Sequence, residues 1–329
     1  MVKLDKLDRK IIAELDMDAR IPITQLAKAV RASREVVNYR IKTLTKRGII
    51  SGTQTFFNPA KIGYSIYRVL VRLDSLDNEM INQFQEFFIE HDSVMWFAKL
   101  GGKWDYAIEF LAKSGNEFNI LLRNSFEKFK ELIKTYEIIT ILEIDSFNRK
   151  YIFDNKKNQI FKIGGKIENI KLDEIDKKII KQLKTNARLT NLEIGEKIKL
   201  ARNTIKYRIK KLEETGIIQG YKLFCHPQKI DYQSYKLLIS MNNISQMKEK
   251  EFFSFAQQNK NIIFAHRNLG KWNYEFEIEC EDLKKLQEII IDLRINFKSL
   301  ILDYEIFPVL YDYKIDLFPM SFILLKEIK

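Results

Sequence analysis

The sequence repeats itself, and this repeat constrains the fold more than any other feature. Residues 4–52 align with residues 172–220 without a gap, and 19 of the 49 aligned positions are identical. The match continues at the same offset of 168 residues, for example from Gly102-Lys103-Trp104 to Gly270-Lys271-Trp272. The chain of 329 residues is therefore predicted to be a duplication of one two-domain unit, and not a solenoid, whose repeats are much shorter.

The first part of each unit has the pattern of three short helices and a strand. In copy one, apolar side chains recur at helical spacing from Leu4 to Leu15, and Ser33 can cap a third helix. In copy two, Thr190 and Glu193 form a capping-box pattern at the start of the second helix. Three helices followed by an apolar strand predict a winged helix-turn-helix whose third helix reads DNA.

The second part of each unit alternates as βαββαβ, which predicts a ferredoxin-like domain with a four-stranded antiparallel sheet and both helices on one face. In copy one we expect strands at 64–74, 94–100, 104–112 and 135–147 and helices at 77–90 and 115–133. The fold class is thus α+β, with two winged helix-turn-helix domains alternating with two ferredoxin-like domains. The expected boundaries are 1–57 and 171–225 for the helix-turn-helix domains, 58–147 and 226–315 for the ferredoxin-like domains, 148–170 for a basic linker and 316–329 for an apolar tail.

The positive charge is concentrated where a nucleic acid would bind. The chain has a net charge of +12, and residues 2–52 and 171–220 contribute +6 each. Residues 146–170 contribute +4, whereas residues 53–145 carry −4. Clustering of this kind indicates a double-stranded DNA partner, because a basic surface neutralises phosphates.

The exposed side of each predicted third helix supplies the candidate DNA contacts. In copy one these are Arg31, Arg34, Glu35, Asn38, Tyr39 and Lys42, and in copy two Lys199, Arg202, Asn203, Lys206, Tyr207 and Lys210. The two arginines that start the helices suit guanine, and most of the other side chains suit phosphate. For the two tyrosines, packing at the helix edge is an equal alternative. Arg40 and Arg208 border the buried stripe, so we expect an ion pair or a phosphate contact from them and not base reading.

Other classes of protein find little support in the sequence. Cys225 and Cys280 are too far apart to form a redox motif, and His91, His226 and His266 show neither metal spacing nor a catalytic triad. We expect no catalytic residue, no metal site and no cofactor. The sequence contains neither a secretory signal nor a run of apolar residues long enough for a membrane span, so we expect a cytoplasmic protein with no membrane partner. The apolar stretch 318–325 is expected to pack on its own domain, or to form an oligomer contact if it is exposed.

Together these residues resemble the Lrp/AsnC (feast/famine) family of prokaryotic transcriptional regulators. The resemblance rests on Leu4-Asp5-x-x-Asp8, Ala19-Arg20, Ser33-x-x-x-Val37-x-x-Arg40-Ile41-x-x-Leu44 and Gly48-Ile49-Ile50-x-Gly52, and on the repeats of these motifs in copy two. The αβ domain, with Gly102-x-Trp104-Asp105, resembles the family's amino-acid-metabolism regulation (RAM) domain. Family members usually carry one unit and dimerise through this domain. The resemblance therefore implies a sequence-specific regulator that is a dimer within one chain, with a further assembly of chains as an open alternative.

The resemblance also implies a site for a small effector, often an amino acid, at the loop between the two middle strands. The positions that match are Gly102, Trp104 and Asp105 in copy one and Gly270 and Asn273 in copy two. The alternative is that the glycines simply suit a turn between strands. Copy two lacks the carboxylate that could pair with an ammonium group, which puts its site in doubt.

Three substitutions depart from the family pattern. Arg31 and Lys199 stand in the turn before the third helix, where the family usually has glycine, so this turn either avoids positive φ or carries about 1 kcal/mol of strain. Ala201 stands at the position equivalent to the helix cap Ser33. The loss of this cap lowers the stability of the third helix in copy two by about 1 kcal/mol.

Two rival functions stay open from the sequence. One is an architectural protein that coats DNA without sequence preference. The other is an enzyme, because His266 followed by Trp272-Asn273 faintly resembles the siroheme decarboxylases, which share this two-domain fold. The paired histidines that those enzymes carry in this region are absent, so an enzyme is the weaker alternative.

Overall fold

The computed structural model describes residues 4–74, 77–153, 159–242 and 244–319, and in them each copy has the predicted order of elements. Copy one contains α1 (Lys6–Met17), α2 (Ile23–Val30), α3 (Arg34–Lys46), β1 (Ile50–Phe57), β2 (Ser65–Leu73), α4 (Asn78–Glu90), β3 (Val94–Leu100), β4 (Tyr106–Ala112), α5 (Gly115–Glu127) and β5 (Ile133–Ser146). Between the copies lies β6 (Phe161–Gly164). Copy two contains α6 (Glu174–Thr185), α7 (Asn191–Ile198), α8 (Arg202–Glu214), β7 (Ile218–Cys225), β8 (Gln233–Met241), α9 (Gln246–Gln258), β9 (Ile262–Leu269), β10 (Tyr274–Cys280), α10 (Leu283–Phe297) and β11 (Ile301–Ile315).

Side chains at the predicted positions cap one helix in each helix-turn-helix domain. The Thr190 hydroxyl accepts a hydrogen bond from the Glu193 N–H, and the Glu193 carboxylate accepts one from the Thr190 N–H, which completes the predicted capping box. Ser33 Oγ accepts a hydrogen bond from the Val36 N–H at 3.2 Å at the start of α3. Ala201, in the same place before α8, makes no side-chain cap.

The strand that follows each helix-turn-helix domain pairs with its counterpart from the other copy. β1 and β7 form a two-stranded antiparallel ribbon in which Gln54 lies opposite Lys222. Leu223 and Cys225 of β7 are buried in the core of the first helix-turn-helix domain, and Phe56 of β1 is buried in the core of the second. The sequence predicts the strands but not this exchange, which packs the two helix-turn-helix domains against one another.

Each αβ domain has the predicted ferredoxin-like topology. The sheet order is β5-β2-β4-β3 in copy one and β11-β8-β10-β9 in copy two, and all neighbours are antiparallel. One face of each sheet packs on its own two helices, through residues such as Phe84 and Phe118 in copy one and Phe252 and Leu286 in copy two. The free faces of the two sheets therefore remain to be covered.

The two sheets cover these faces by joining edge to edge. β3 pairs with β11, and β5 pairs with β9, so that eight strands close into a barrel with the helices outside. Closure also pairs the sheet edges that a single αβ domain would leave free. Apolar side chains fill one end of the barrel, among them Leu70, Trp104, Leu238 and Trp272.

The segment expected to be a linker is packed over much of its described length. Ile152 is buried in the core of the first helix-turn-helix domain, and β6 pairs with β5. The apolar tail also packs on the chain as far as it is described, because the Phe318 ring lies 4.9 Å from the Phe57 ring, centroid to centroid. The remainder of the tail, 320–329, lies outside the described residues.

No described helix is long and apolar enough to cross a membrane. Within the same residues, no group of three or more His, Cys, Asp or Glu side chains could hold a metal ion.

Candidate nucleic-acid interface

The third helix of each helix-turn-helix domain presents the predicted DNA contacts to solvent. Val37 and Leu44 on one side of α3 are fully buried, and Ile205 and Leu212 on α8 repeat this arrangement. The candidate side chains on the opposite sides are all exposed, namely Arg34, Glu35, Asn38, Tyr39 and Lys42 on α3, and Arg202, Asn203, Lys206, Tyr207 and Lys210 on α8. Each helix thus has one face for the core and one for a partner.

The tyrosines do not pack at the helix edge. Tyr39 is 68% exposed and Tyr207 is 66% exposed, which rules out the packing alternative and leaves both hydroxyls available to a phosphate. Glu35 is also exposed, but its carboxylate faces the start of its own helix. A hydrogen bond from its own N–H, and a weaker one from the Ser33 hydroxyl, hold the pKa of Glu35 below its ordinary value.

The turn before each third helix adopts the left-handed conformation without glycine. Arg31 has φ 59° and ψ 51°, and Lys199 has φ 58° and ψ 49°. The turn therefore does not avoid positive φ, and each residue carries about 1 kcal/mol of strain that glycine would not. Arg31 lines a shallow surface depression together with Lys28 and Arg34, which places three cationic side chains around the start of α3.

Arg40 and Arg208 form ion pairs within their own domains, as expected. Arg40 Nη1 lies 2.8 Å from Asp5 and 3.3 Å from Asp8. Arg208 repeats these contacts with Asp173 and Asp176. The arginines tie the third helix to the first helix of each domain, so they orient the reading helices without reading bases themselves.

A reciprocal pair of arginines locks the two helix-turn-helix domains together, a role that the sequence analysis missed. Arg20 donates to the carbonyl of Ala187 at 2.7 Å and to Asn191 Oδ1 at 3.3 Å. Arg188 donates to the carbonyls of Ala19 and Ile21. The signal was present, because Ala-Arg recurs in both copies, but only the structure shows that each arginine crosses to the other copy.

The candidate effector loops serve a structural purpose in both copies. Asp105 Oδ2 accepts a hydrogen bond from the Leu73 N–H at 2.8 Å, and Asn273 Oδ1 accepts one from the Met241 N–H at the same distance. Gly102 and Gly270 have positive φ, which favours glycine in these turns. Trp104 is 3% exposed and Trp272 is 1% exposed, so both rings belong to the barrel core. The replacement of Asp105 by Asn273 keeps the contact to the neighbouring strand.

The other end of the barrel contains a buried ionic network. Arg68 pairs with Glu109 and Glu275, and Lys236 pairs with Glu275 and Glu277. Arg68 and Lys236 occupy equivalent positions of the two copies, as do Glu109 and Glu277. The cationic partners lower the pKa of Glu275 to about 2, against the effect of its burial.

A second group of buried charges lies where the ribbon meets the barrel. Arg149 pairs with Asp16 at 3.0 Å and with Glu279 at 2.9 Å. Lys222 of the ribbon donates to Ser146 Oγ at 2.9 Å and to the Phe147 carbonyl, and it has no carboxylate partner among the described residues. Burial lowers the pKa of Lys222 to about 8.

Comparison with known proteins connects these helices to DNA binding. A family model described as winged helix-turn-helix DNA-binding matches residues 4–51 and 172–219. The chain is 34% identical over 124 residues to the HTH-type transcriptional regulator LrpC of Bacillus subtilis, a match that covers 37% of this chain and 83% of that protein. It is 24% identical over 127 residues to the leucine-responsive regulatory protein of Rhizobium meliloti, which covers 38% of this chain and 81% of that protein.

The whole chain resembles a solved structure that also contains both repeats. The siroheme decarboxylase NirDL matches with a TM-score of 0.63, over 97% of this chain and 96% of that one. The sequence identity is 12%, so the likeness shows a common arrangement of both repeats and carries no information about activity.

Proposed function

This chain belongs to the Lrp/AsnC family of transcriptional regulators, and from that premise we propose that it is a sequence-specific regulator that prefers two unlike half-sites. The family relation makes it a DNA-binding transcriptional regulator. The proposal adds that a single chain performs the work of a dimer, and that its two reading helices recognise different bases.

The observation that supports the proposal is that the exposed faces of α3 and α8 differ in sequence, although both helices belong to one chain with a fixed arrangement of its domains. The arginine and the tyrosine of α3 recur on α8, whereas Glu35 becomes Asn203 and Asn38 becomes Lys206. A homodimer favours a palindrome because its two readers are identical. Here the readers differ while the β1–β7 ribbon and the reciprocal arginines fix their relative position, so one asymmetric site satisfies both.

The side-chain chemistry suggests which bases are shared and which differ. Arg34 and Arg202 can both donate to guanine O6 and N7, which predicts a guanine common to the half-sites. Asn203 can bond adenine at two points and Lys206 can donate to guanine, whereas Glu35 can only accept, which suits the cytosine amino group. Base reading by Glu35 requires its carboxylate to turn away from the start of α3.

The test is selection of bound sites from a random DNA library. The unmodified protein should select two unlike half-sites, and the double substitution Glu35→Asn with Asn38→Lys should make the selected site more nearly palindromic. A palindrome selected by the unmodified protein would contradict the proposal. Binding to the selected site should exceed binding to random competitor by about 10³-fold or more, and a smaller ratio would favour the architectural alternative.

The salt dependence of binding tests the phosphate contacts separately. For roughly six contacts, log K against log [salt] should slope by about −5 or more steeply. Lys42→Ala and Lys210→Ala should each reduce this slope by about one. Lys130→Ala, which removes an exposed lysine after α5, is the control and should leave the slope unchanged.

The full-length likeness to a decarboxylase raises the enzyme alternative, and the size of the internal space argues against it. The cavity between barrel and ribbon has a volume of about 140 Å³. Sites for drug-sized ligands usually measure roughly 300–1,000 Å³, and a tetrapyrrole needs at least a space of that order. We therefore propose that the chain is not a tetrapyrrole decarboxylase, which absorbance titration with siroheme would check directly.

A further inference from the structure

A cavity lies where the β1–β7 ribbon covers the polar end of the barrel. Its volume is about 140 Å³, and its wall includes Phe56 and Lys222 from the ribbon and His266, Glu277 and Asp312 from the barrel. An apolar cavity of roughly 150 Å³ holds benzene, so this space suits an organic molecule of about six non-hydrogen atoms. The interior of an eight-stranded barrel is wide enough for one small ligand.

Carboxylates outnumber cations around this cavity. The ionic network and the groups next to it comprise four cationic side chains and six carboxylates, namely Arg68, Arg149, Lys222 and Lys236 against Asp16, Glu109, Glu275, Glu277, Glu279 and Asp312. A bound cation would reduce this imbalance, because buried charges are stable only when they are paired.

Asp312 and Glu277 are the carboxylates best placed to bind that cation. Asp312 Oδ1 accepts a hydrogen bond from Trp96 Nε1 at 2.9 Å, and Glu277 Oε2 lies 2.6 Å from Lys236 Nζ. These contacts occupy one oxygen of each carboxylate, and no described residue is bonded to the other. Burial, with smaller contributions from Glu277 and Glu279, raises the pKa of Asp312 to about 6, although the hydrogen bond from Trp96 opposes this shift.

His266 supplies an unused hydrogen-bonding atom in the cavity wall. The side chain is 3% exposed, and its Nε2 has no hydrogen-bond partner among the described residues. Arg68 Nη2 lies 3.5 Å from its Nδ1, and a guanidinium can only donate. Nδ1 is therefore the accepting nitrogen, so Nε2 carries the proton and lacks an acceptor. Burial lowers the pKa of His266 well below its ordinary value, which keeps the ring neutral.

Comparison of the copies shows why the space and its polar groups exist. Ser234 in the cavity wall replaces the larger Ile66 of copy one. His266 and Glu275, which lie opposite one another on β9 and β10, replace the alanine pair 98 and 107. Copy two therefore has both the space and the polar groups that line it. Burying these polar groups costs free energy that apolar side chains would not.

We propose that this cavity binds a small primary ammonium compound that also carries a hydroxyl or carbonyl oxygen. Asp312 and Glu277 bind its ammonium group, His266 donates to its oxygen, and its carbon chain lies against Phe56 and against Phe264 of β9, which both line the cavity. The site is independent of the proposed operator preference, and binding is measured without DNA. The ligand would touch the ribbon that positions both reading helices, and any effect of the ligand on DNA affinity would be matched by an equal effect of DNA on ligand affinity.

Isothermal titration of the full chain with four probes of six non-hydrogen atoms tests the proposal. The probes are 4-amino-1-butanol, n-pentylamine, 1,4-butanediol and butyrate. We expect 4-amino-1-butanol to bind tightest, with about tenfold weaker binding when the ammonium group is lost, as in the diol. Tightest binding of butyrate, equal binding of all four probes, or no binding would each overturn the proposal.

Substitutions separate the site from the rest of the fold. Asp312→Asn keeps an acceptor for Trp96 and should weaken 4-amino-1-butanol binding by about tenfold, as should Glu277→Gln. Asp303→Asn is the matched control on the same strand, since this aspartate is 59% exposed, and it should bind normally. Ser234→Ile leaves every charge in place and restores the residue of copy one. It should abolish binding in a chain that still unfolds cooperatively, and retained binding would place the ligand elsewhere and overturn the proposal.

Discussion

At the scale of single residues, Arg31 and Lys199 carry backbone strain that a role in DNA binding would explain. Each occupies a backbone conformation that favours glycine, and each places a cation beside the start of a reading helix. Natural proteins retain strain of this kind where the side chain performs a task. Stability should therefore rise and DNA affinity should fall when glycine replaces either residue.

Two substitutions at Lys199 separate the strain from the charge. Lys199→Gly should raise the free energy of unfolding by about 0.5–1 kcal/mol, because glycine adopts positive φ without a steric cost. Lys199→Ala keeps the strain and should not stabilise the protein. Both should weaken DNA binding and reduce the salt slope by about one. Urea unfolding and binding titrations provide the measurements, and a glycine variant less stable than the alanine variant would refute the strain.

Lys222 gives the protein a specific pH dependence. Its pKa is about 8 in the folded chain and 10.5 ordinarily, with burial as the main cause. Below pH 8 both states hold the proton and the penalty is complete. Between pH 8 and 10.5 the folded chain releases the proton first, so stability rises with pH. The charged groups that face it are Asp16, Arg149, Glu277 and Glu279.

The comparison variant is Lys222→Gln, since glutamine stands at the equivalent position 54 of copy one. The unfolding free energy of the unmodified chain minus that of the variant should increase by up to about 3 kcal/mol between pH 7.5 and 10.5. Subtracting the variant removes the titration of tyrosines and other groups common to both. A difference that does not change with pH would show that the pKa of Lys222 is not lowered in the folded chain.

The exposed residues of this protein could be predicted, but the buried charges could not. Periodicity on the third helices separates core from surface, so the sequence alone places Arg34 and Lys206 on the outside. On β10 the same rule misleads, because Glu275, Glu277 and Glu279 alternate with apolar residues and would be assigned to solvent. Instead Glu275 and Glu279 are buried and Glu277 lines the cavity, since closure of the sheet covers the face that would otherwise be exposed.

At the scale of elements, local patterns predict helices and strands well and their partners poorly. The capping pairs and the alternating strands place almost every element within a few residues. The helix expected at 115–133 is an exception, because α5 ends at Glu127 and a turn follows. The pairing of β1 with β7 joins residues about 168 apart, and no local signal specifies such a contact.

The unequal caps of α3 and α8 allow a prediction at this scale. Ala201→Ser should raise the free energy of unfolding by about 1 kcal/mol, because the introduced hydroxyl can accept a hydrogen bond from the Thr204 N–H, as Ser33 accepts one from the Val36 N–H in copy one. Ser33→Ala should lower stability by a similar amount. Thermal or urea unfolding of the two variants measures both effects. No gain from Ala201→Ser, together with a loss from Ser33→Ala, would mean that α8 is capped by other means.

At the scale of the whole molecule, the duplication predicts that the two copies pair. It does not predict that their sheets join into one closed barrel or that their strands exchange. The repeat itself implies two interacting αβ domains. The closed barrel, the exchanged ribbon and the packed linker depend on long-range contacts, such as that of Arg149 with Asp16 on one side and Glu279 on the other. Because of these contacts, neither half is a complete structure by itself. Each sheet has charged residues on a face that only the other half buries.

This incompleteness leads to the last prediction, which concerns a chain cut at a protease site placed within 154–158, outside the described residues. Four strand pairings, β1 with β7, β3 with β11, β5 with β9 and β5 with β6, would still join the fragments. They should therefore elute together at the size of the intact 39.1 kDa chain. Cutting replaces an intramolecular association by a bimolecular one, so the unfolding midpoint should become dependent on protein concentration, whereas that of the intact chain should not. Fragments that separate into stable folded monomers would show that each αβ sheet tolerates an open, polar face, and that the closed barrel is not required for folding.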